Sequence, residues 1–374
     1  MGQNGVGYPE RLLNRCWDWI PRGKKPEDEE ISLRSIIYAP QQTNMDSIFS
    51  PPGEQGDDGN VWHAIQRRFR ASGYELYTPA TYVGDLRDVS WVLFQNIPRD
   101  FKPLSVSRRV RTTLKRLSGS RTFYRQCLQA DLSEKIAVIL YEPPVVEEFA
   151  FDKKNHRAFS TIFTWSKDLL ENGGKYKDIV FPERDVPVTR SAAPFEERKL
   201  LCNFSANKTS SHQYELYSAR KTAIKFFERA CSDDFDHYGA GWSPDYTSWR
   251  GKVDDKLATM ARYRFNLCYE NASNLRGYLT EKIFDAFHAG CVPIYLGAPD
   301  IDELIPSSTF IDRRNFASDS DLLDFIMSMS EAEWQDSIDA AWDFLQSENY
   351  KRYTADGMFE LLRDGLRLQP SPAQ

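Results

Sequence analysis

The apolar residues of this chain fall into short blocks whose spacing predicts strands and helices in alternation. Ile36, Ile37 and Tyr38 form an apolar run of strand length. The later stretch "VWHAIQRRFRASG" repeats its apolar residues three and four positions apart, as amphipathic helices do. Two further runs, "DVSWVLFQN" and "KIAVILYEPP", predict strands. Strands that alternate with helices in this way favour a parallel α/β sheet.

The alternation begins again after a linker. Residues 182–198, "PERDVPVTRSAAPFEER", combine three prolines with mixed charge and suit an interdomain connection. Strand and helix patterns then follow in "KLLCNFSAN", "ELYSARKTAIKFFERAC", "YRFNLCYEN", "TEKIFDAFHAG" and "CVPIYLG", and the pattern from residue 319 onward is helical. Two α/β halves followed by helices predict two facing Rossmann-like domains with a C-terminal helical segment.

We divide the chain at these points. The proposed units are an N-terminal segment and linker at 1–30, an N-terminal Rossmann-like domain at 31–190, a C-terminal Rossmann-like domain at 191–345, and a C-terminal helix and tail at 346–374. A length of 374 residues suits two domains of roughly 150 residues each. A hydrophobic fraction of 41% is enough to give each domain a core.

Charge and hydropathy exclude some classes of function. A net charge of −6 argues against broad electrostatic binding to nucleic acid. The basic face of a predicted helix at 106–119 lacks interleaved aromatic residues, so we interpret it as a solvated surface. No apolar run approaches the roughly 18–20 residues that span a bilayer, and the N-terminus lacks the apolar stretch of a secretory signal. We therefore expect no transmembrane segment, and the compartment stays open.

The cysteines and histidines form no pattern typical of metal sites. Six cysteines are scattered without metal-ligand spacing, and Cys268 and Cys291 lie in apolar runs, where a buried thiol acts as a small hydrophobic group. Their even number leaves disulfides open. Five histidines show no paired spacing. The sequence therefore predicts no metal site.

Candidate chemistry concentrates between residues 263 and 297, "YRFNLCYENASNLRGYLTEKIFDAFHAGCVPIYLG". An apolar strand leads into a polar loop, and Thr280 stands at a plausible N-cap before a helix that Gly290 ends. Ligands of parallel sheets bind at the carboxyl ends of strands, and helix N-termini hold phosphates. Lys282 then offers a cation for phosphate and Glu281 an acceptor for sugar hydroxyls. On residue types alone, an ordinary strand–loop–helix with a surface Glu–Lys pair explains the pattern slightly better.

This stretch closely resembles the signature of the α-1,3-fucosyltransferase family. That signature runs Phe-x-Leu-x-Phe/Tyr-Glu-Asn, then Tyr-x-Thr-Glu-Lys, then Val/Ile-Pro-Ile/Val-Tyr-x-Gly, and the similarity is ungapped over about 35 residues, Phe265 to Pro299. It is weaker in "KLLCNFSANK", "ARKTAIKFFE" and "AVILYEPP". The resemblance implies the GT-B fold, with an N-terminal acceptor domain and a C-terminal donor domain. It also implies inverting transfer of L-fucose from GDP-β-L-fucose to a glycan hydroxyl, expected to be O3 of N-acetylglucosamine.

The resemblance also implies which residues contact the donor. They are Lys282 and Arg220 at the diphosphate, Glu281 at ribose or fucose hydroxyls, Tyr278 and Asn271 lining the nucleotide-sugar pocket, and Asn207 in the segment before the helix that carries Arg220. Two cations and a helix N-terminus would together offset the charge that grows on the departing diphosphate.

Inverting transfer needs a base that takes the acceptor proton. The family places a glutamate just after a strand of the N-terminal domain, and here Glu142 is the first carboxylate after "AVILY". Glu147 and Glu148 are the fallback candidates, and a structural glutamate in a proline-stiffened turn is the alternative to a base. The family's usual context is Glu-Ser-Pro, from which "EPP" departs.

Several expectations complete the analysis. We expect no required cofactor and no metal ligands, with a divalent ion at most stimulatory, and we expect GDP-fucose and a glycan acceptor as partners. We interpret "DDFD" at 233–236, an Asp-x-Asp of the kind that binds metal–nucleotide in GT-A enzymes, as a polar turn. Two alternative functions stay open: a GT-B transferase for another GDP-sugar, and a carbohydrate-binding protein without catalysis. The acceptor glycan and the oligomeric state are also open.

Overall fold

A computed structural model describes residues 33–41, 48–49, 60–98, 122–183 and 193–369. The predicted basic-faced helix at 106–119, the N-terminal segment 1–30 and most of the predicted linker lie outside the described residues. The described residues form two parallel sheets, each with helices packed on its faces.

The first sheet has six parallel strands in the order β2-β1-β3-β4-β5-β6. Its strands are β1 Arg34–Ala39, β2 Tyr74–Tyr77, β3 Trp91–Gln95, β4 Ile136–Leu140, β5 Thr161–Thr164 and β6 Tyr176–Asp178. The helices between them are α1 Val61–Ala71, α2 Phe123–Gln129, α3 Pro144–Glu147 and α4 Lys167–Leu170. Ile36 and Tyr38 enter the core on one face of the sheet and Ile37 the core on the other, because successive strand side chains point to opposite faces.

The second sheet has five parallel strands in the order β11-β10-β9-β7-β8. Its strands are β7 Lys199–Phe204, β8 Phe235–Tyr238, β9 Tyr263–Tyr269, β10 Val292–Leu296 and β11 Ile311–Asp312. The helices that come after β7 in the chain are α5 Tyr217–Ala230, α6 Lys256–Met260, α7 Glu281–His288, α8 Asp319–Ser328, α9 Glu331–Leu345, α10 Glu348–Lys351 and α11 Ala355–Gly365. Central strand β9 is buried on both faces, which explains its nearly continuous apolar sequence.

The last helix, α11, returns to the first domain. Met358, Phe359 and Leu362 pack in the same core as Ile36 of β1. Just beyond the helix, the backbone carbonyl of Gln369 accepts a hydrogen bond of 3.0 Å from the Arg34 guanidinium. The chain therefore crosses between the two sheets twice, once after β6 and once before α11.

Most of the element predictions are confirmed. The apolar runs that predict strands correspond to β1, β3, β4, β7, β9 and β10, and the region after residue 319 is helical. Five strands lie outside these runs: β2, β5, β6, β8 and β11, which have only two to four residues each. The domain boundaries at 31–190, 191–345 and 346–374 stay predictions.

The interpretation of "DDFD" as a polar turn is wrong in its second half. Asp233 and Asp234 lie in a turn, but Phe235 and Asp236 belong to β8. The buried Asp236 carboxylate is neutralised by Lys199 Nζ at 2.8 Å and Arg250 Nε at 2.6 Å. Because these two ion pairs compensate its charge, Asp236 can lie buried in a strand, although the polar sequence predicts a turn.

Two sequence expectations about burial and membranes can be compared with the structure. Cys268 and Cys291 are buried free thiols, as are Cys127 and Cys202. Within the described ranges, no helix is both long enough and apolar enough to cross a membrane.

The carboxyl ends of the two sheets face each other. Trp165, which follows β5, packs its ring 4.7 Å from that of Tyr278 in the loop after β9. Lys167 pairs with Asp300 at 2.6 Å, and Arg276 reaches back to Asp168 at 2.7 Å. These contacts fix the loop after β9 against the first domain. We call the region between the two facing carboxyl edges the cleft.

Candidate active site

The N-terminus of α7 is built around a buried carboxylate. Glu270, the first residue after β9, is 0% exposed, and its two oxygens accept hydrogen bonds from the Thr280 amide (2.9 Å) and the Thr280 hydroxyl (2.7 Å). Thr280 occupies the predicted N-cap position, but its side chain makes no capping hydrogen bond because its hydroxyl donates to the Glu270 carboxylate. Gly297 leaves room for this carboxylate, since a Cβ there would lie 2.6 Å from Glu270 Cγ.

The Lys282 ammonium pairs with the same carboxylate, that of Glu270. Its ammonium donates a hydrogen bond of 2.8 Å to Thr280 Oγ1 and lies 3.2 Å from Glu270 Oε2. Burial alone would lower the pKa of Lys282, but attraction to Glu270 and Glu281 outweighs burial and raises it. Lys282 is therefore a fully protonated cation that is held in place at the start of a helix.

Glu281 is the exposed member of the pair. Its side chain is 50% exposed, and its carboxylate lies 3.3 Å from the Lys282 ammonium. Burial would raise the pKa of Glu281, but the charges of Lys282 and Lys256 outweigh that effect and lower it. Glu281 is thus an ionised acceptor at the cleft surface, the property that hydrogen bonding to sugar hydroxyls requires.

Arg220 reaches the same place from α5. It is 4% exposed, and its guanidinium donates to the carbonyls of Tyr269 (2.6 Å) and Glu270 (2.8 Å) at the end of β9. Burial lowers the pKa of Arg220, and the Glu270 charge acts in the opposite direction. Arginine ionises at so high a pH that the group stays a cation at neutral pH. The positive charges of Arg220 and Lys282 therefore stand close to one helix N-terminus.

Glu142 enters the site from the other domain. It follows β4 and is half-buried. Burial raises the pKa of Glu142 despite the opposing attraction of Lys208 and Lys282, while the charge of Glu281 raises it further. The structure therefore brings the predicted base within electrostatic reach of the predicted donor residues across the cleft. Glu147 accepts a hydrogen bond of 2.9 Å from Gln41, and Glu148 is exposed.

Tyr278 and Asn271 hold the loop between β9 and α7. Tyr278 is 1% exposed and packs with Trp165, Tyr217 and Val145 in a small core between the two domains. The Asn271 carbonyl accepts a hydrogen bond of 3.1 Å from the Leu216 amide at the start of α5. These contacts give both residues a part in shaping the loop.

Asn207 lies in the loop after β7. Its side-chain amide donates 3.0 Å to the Gly241 carbonyl, and its backbone amide donates 2.9 Å to the Ala240 carbonyl. Asn207 thus ties the loop after β7 to the loop after β8. The next residue, Lys208, is one of the two lysines whose positive charges act to lower the pKa of Glu142.

The comparisons with known proteins identify the family. The sequence model of "Glycosyltransferase family 10 (fucosyltransferase) C-term" matches residues 196–337, which include Arg220, Glu281 and Lys282. Residues 196–337 therefore form a glycosyltransferase family 10 domain. The resemblance of Phe265–Pro299 to the family signature is thereby confirmed.

Named relatives match this chain over short lengths. It is 35% identical over 74 residues to the alpha-(1,3)-fucosyltransferase FucT of Helicobacter pylori, covering 20% of this chain and 15% of that protein. It is 40% identical over 82 residues to alpha-(1,3)-fucosyltransferase 7 of Rattus norvegicus, covering 21% of this chain and 22% of that protein. The chain thus spans less than a quarter of the length of these relatives.

A solved structure extends the similarity to the whole fold. A crystal structure of an α1,3-fucosyltransferase with GDP superposes with a TM-score of 0.53 at 13% identity, covering 92% of this chain and 94% of that one. At this identity the similarity shows the fold alone. The two facing parallel-sheet domains with C-terminal helices are the GT-B fold, as the sequence predicts.

Three residues of this site were not identified from the sequence. Glu270 holds Lys282, Lys208 acts on Glu142, and Tyr217 is a buried ring whose pKa responds to Arg220, Glu142 and Lys282 after the larger effect of burial. The available signal for Glu270 was an acid directly after a mostly apolar, buried strand, a position where a charge needs a partner. Lys208 and Tyr217 give no such signal in the sequence.

Metal ligands are not apparent at this site. Among the residues that the structure describes, no group of three or more His, Cys, Asp or Glu side chains is arranged to hold a metal ion. Glu270 and Glu281 are both engaged with Lys282. The absence of a required metal stays a proposal.

We expect Gly277→Ala to damage the site by separating the domains. Gly277 has φ +84°, and a Cβ there would lie 2.3 Å from the Trp165 carbonyl oxygen of the facing domain. Gly251 has nearly the same φ, +82°, but a Cβ there would meet no atom within 4 Å. Gly251→Ala therefore measures the cost of backbone strain alone, about 1 kcal/mol. Gly277→Ala carries the same strain and, in addition, the steric clash of the new Cβ with the Trp165 carbonyl oxygen.

Thermal unfolding and GDP titration of both variants measure the difference. Gly277→Ala should lower the melting temperature more than Gly251→Ala and should also weaken GDP binding, because the loop after β9 must move. Equal effects of the two substitutions would show that the contact between Gly277 and Trp165 does not support the site.

Proposed function

We propose that this chain is an inverting α-1,3-fucosyltransferase that moves L-fucose from GDP-β-L-fucose to a glycan hydroxyl. The observation that supports this best is that Glu142 of one domain lies within electrostatic range of Lys282 and Glu281 of the other, since the charges of both act on the pKa of the Glu142 carboxyl. A base and a pair of cations on opposite walls of one cleft suit a transfer between two substrates.

The donor is assigned to the second domain. Lys282 and Arg220 would bind the diphosphate at the N-terminus of α7, where unpaired amides and the helix dipole favour anions. Glu281 would accept hydrogen bonds from hydroxyls of ribose or fucose. Tyr278, Asn271 and Asn207 would support the loops around the nucleotide. A solved α1,3-fucosyltransferase of the same fold was crystallised with GDP, which is consistent with this assignment.

The chemistry is a single displacement. The acceptor oxygen attacks the anomeric carbon of fucose, its proton passes to the Glu142 carboxylate, and the bond between that carbon and the phosphate oxygen breaks. GDP leaves with the electron pair, and the β-linked donor becomes an α-L-fucoside. The positive charges of Lys282 and Arg220 would stabilise the charge that develops on the leaving diphosphate. The scheme assigns no step to a metal or cofactor.

The acceptor is proposed to be a glycan with O3 of N-acetylglucosamine as the reacting hydroxyl. The names of the relatives from Helicobacter pylori and Rattus norvegicus specify the α-1,3 linkage. Their alignments cover only about a fifth of this chain, so the choice of acceptor rests on the linkage that these names give.

Titration calorimetry with GDP, UDP and GDP-fucose, without added metal, tests the donor assignment. We expect GDP and GDP-fucose to bind and UDP to bind at least about tenfold more weakly. Transfer of labelled fucose to N-acetyllactosamine tests the reaction itself. A preference for UDP would overturn the proposal. GDP binding with turnover of a different GDP-sugar would reassign the donor. GDP-fucose binding with neither transfer nor hydrolysis of the labelled donor would favour a binding protein without catalysis.

A further inference from the structure

The carboxyl edge of the first sheet contains a polar network that leads to Glu142. Asn96 follows β3 directly, is 2% exposed and adopts φ +59°, an uncommon conformation for a residue with a Cβ. Its side-chain oxygen accepts two hydrogen bonds, from the amides of Tyr141 (2.9 Å) and Glu142 (3.2 Å). One buried amide oxygen thus holds the backbone of the two residues where β4 ends.

The other end of the Asn96 amide is also engaged. Its nitrogen donates 2.7 Å to the side-chain oxygen of Gln41, whose own nitrogen donates 2.9 Å to the Glu147 carboxylate. The Asn96 backbone amide donates 2.8 Å to the Ile139 carbonyl of β4. The side chain is therefore fixed from both sides, and its oxygen cannot turn away from the Glu142 amide without breaking these bonds.

We propose that Asn96 is a positioning residue that sets where the Glu142 carboxylate stands in the cleft. The inference rests on the proposed function, in which Glu142 takes the acceptor proton. Proton transfer needs the base within hydrogen-bond reach of the attacking hydroxyl, and a displacement of about 1 Å can cost a hundredfold in rate. Asn96 does not touch the substrates itself; it acts through the backbone of Glu142.

Two substitutions separate the hydrogen bonds from the backbone conformation. Asn96→Gly keeps the positive φ without strain but removes the oxygen that accepts from Tyr141 and Glu142. Asn96→Asp keeps an acceptor oxygen at the same place and adds a negative charge beside Glu142. We expect kcat to fall about tenfold to a hundredfold in Asn96→Gly and only a few-fold in Asn96→Asp. GDP affinity should not change in either variant, because the donor residues lie on the other domain.

Titration of the Glu142 side-chain carboxyl by carbon NMR gives a readout that does not depend on turnover. Asn96→Gly should lower its midpoint towards the ordinary glutamate value, because a loosened carboxyl gains water. Asn96→Asp should raise its midpoint, because the added charge disfavours ionisation. An unchanged midpoint in both variants, or equal loss of kcat in both, would overturn the proposal.

If the wild-type protein binds GDP but transfers no fucose, the proposed function fails and the carboxyl titration alone decides the role of Asn96. If the wild-type protein transfers fucose and Asn96→Gly keeps full kcat, the proposed function stands and the role of Asn96 is refuted.

Discussion

The Glu142→Gln variant should bind GDP as the wild-type protein does and should transfer fucose at least about a hundredfold more slowly. Glutamine is isosteric with glutamate but cannot accept the acceptor proton at neutral pH. The donor residues Arg220 and Lys282 lie on the other domain and keep their contacts with Glu270. A fall in kcat at unchanged GDP affinity is therefore the expected result, measured by single-turnover kinetics and by titration calorimetry.

The pH dependence of the wild-type protein should agree with this role. Because burial raises the pKa of Glu142, the acid limb of kcat/KM should lie above the ordinary glutamate pKa of about 4.3. Glu147→Gln and Glu148→Gln are matched controls from the same segment, and both should retain turnover. Full activity in Glu142→Gln would move the base to Glu147 or Glu148.

The same substitution should stabilise the fold at neutral pH. The folded-state pKa of Glu142 is raised above its unfolded value, so its contribution to stability is greatest when it is protonated and declines as the pH rises through the folded-state pKa. The Glu142→Gln side chain never ionises. Its melting temperature should exceed that of the wild-type protein at pH 8 and converge with it near pH 4. Loss of turnover with a higher melting temperature excludes misfolding as the cause.

The Lys282→Met variant should lose both GDP binding and stability. The methionine keeps the aliphatic stem but removes the proposed diphosphate contact, so GDP affinity should fall at least about thirtyfold, or about 2 kcal/mol. The fully buried Glu270 also loses its cationic partner. Removing one partner of a buried ion pair costs about 3–5 kcal/mol, which should appear as a lower melting temperature.

Two further variants separate these losses. Lys256→Met breaks a comparable pair, since Lys256 lies 2.5 Å from the buried carboxylate of Asp285 in α7. It should lower stability but leave GDP binding nearly intact. Adding Glu270→Gln to Lys282→Met should restore much of the stability without restoring GDP affinity. GDP affinity that recovers together with stability would show that Lys282 is structural and does not bind the diphosphate.

The sequence predicts the donor half of the site better than the base half. Glu281, Lys282 and the strand before them lie in one ungapped stretch, so strand, loop and helix follow from local pattern. Arg220 lies elsewhere in the chain but on a predicted helix of the same domain. The pairing of Lys282 with Glu270 was missed, because it depends on the loop folding back so that Thr280 contacts the end of β9.

The residues around Glu142 could not be predicted from local pattern. Gln41, Asn96 and Glu142 are separated along the chain but follow β1, β3 and β4, which are neighbours in the first sheet. Their meeting depends on strand order, which periodicity does not give. The left-handed conformation of Asn96 is likewise set by tertiary contacts. An asparagine after an apolar strand can adopt this conformation, but its presence in the sequence does not predict it.

The return of α11 to the first domain makes the described chain nearly a closed ring. Arg34 at the start of β1 and Gln369 beyond α11 are joined by a hydrogen bond, while the two domains are linked by the two crossings. In such a ring, the first domain is built from two separate parts of the chain, because its last helix follows the second domain in sequence. A circular permutant that joins these ends and opens at the connection between β6 and β7 would encode the second domain first. The first domain would then follow as one uninterrupted segment, with its last helix in front of its first strand.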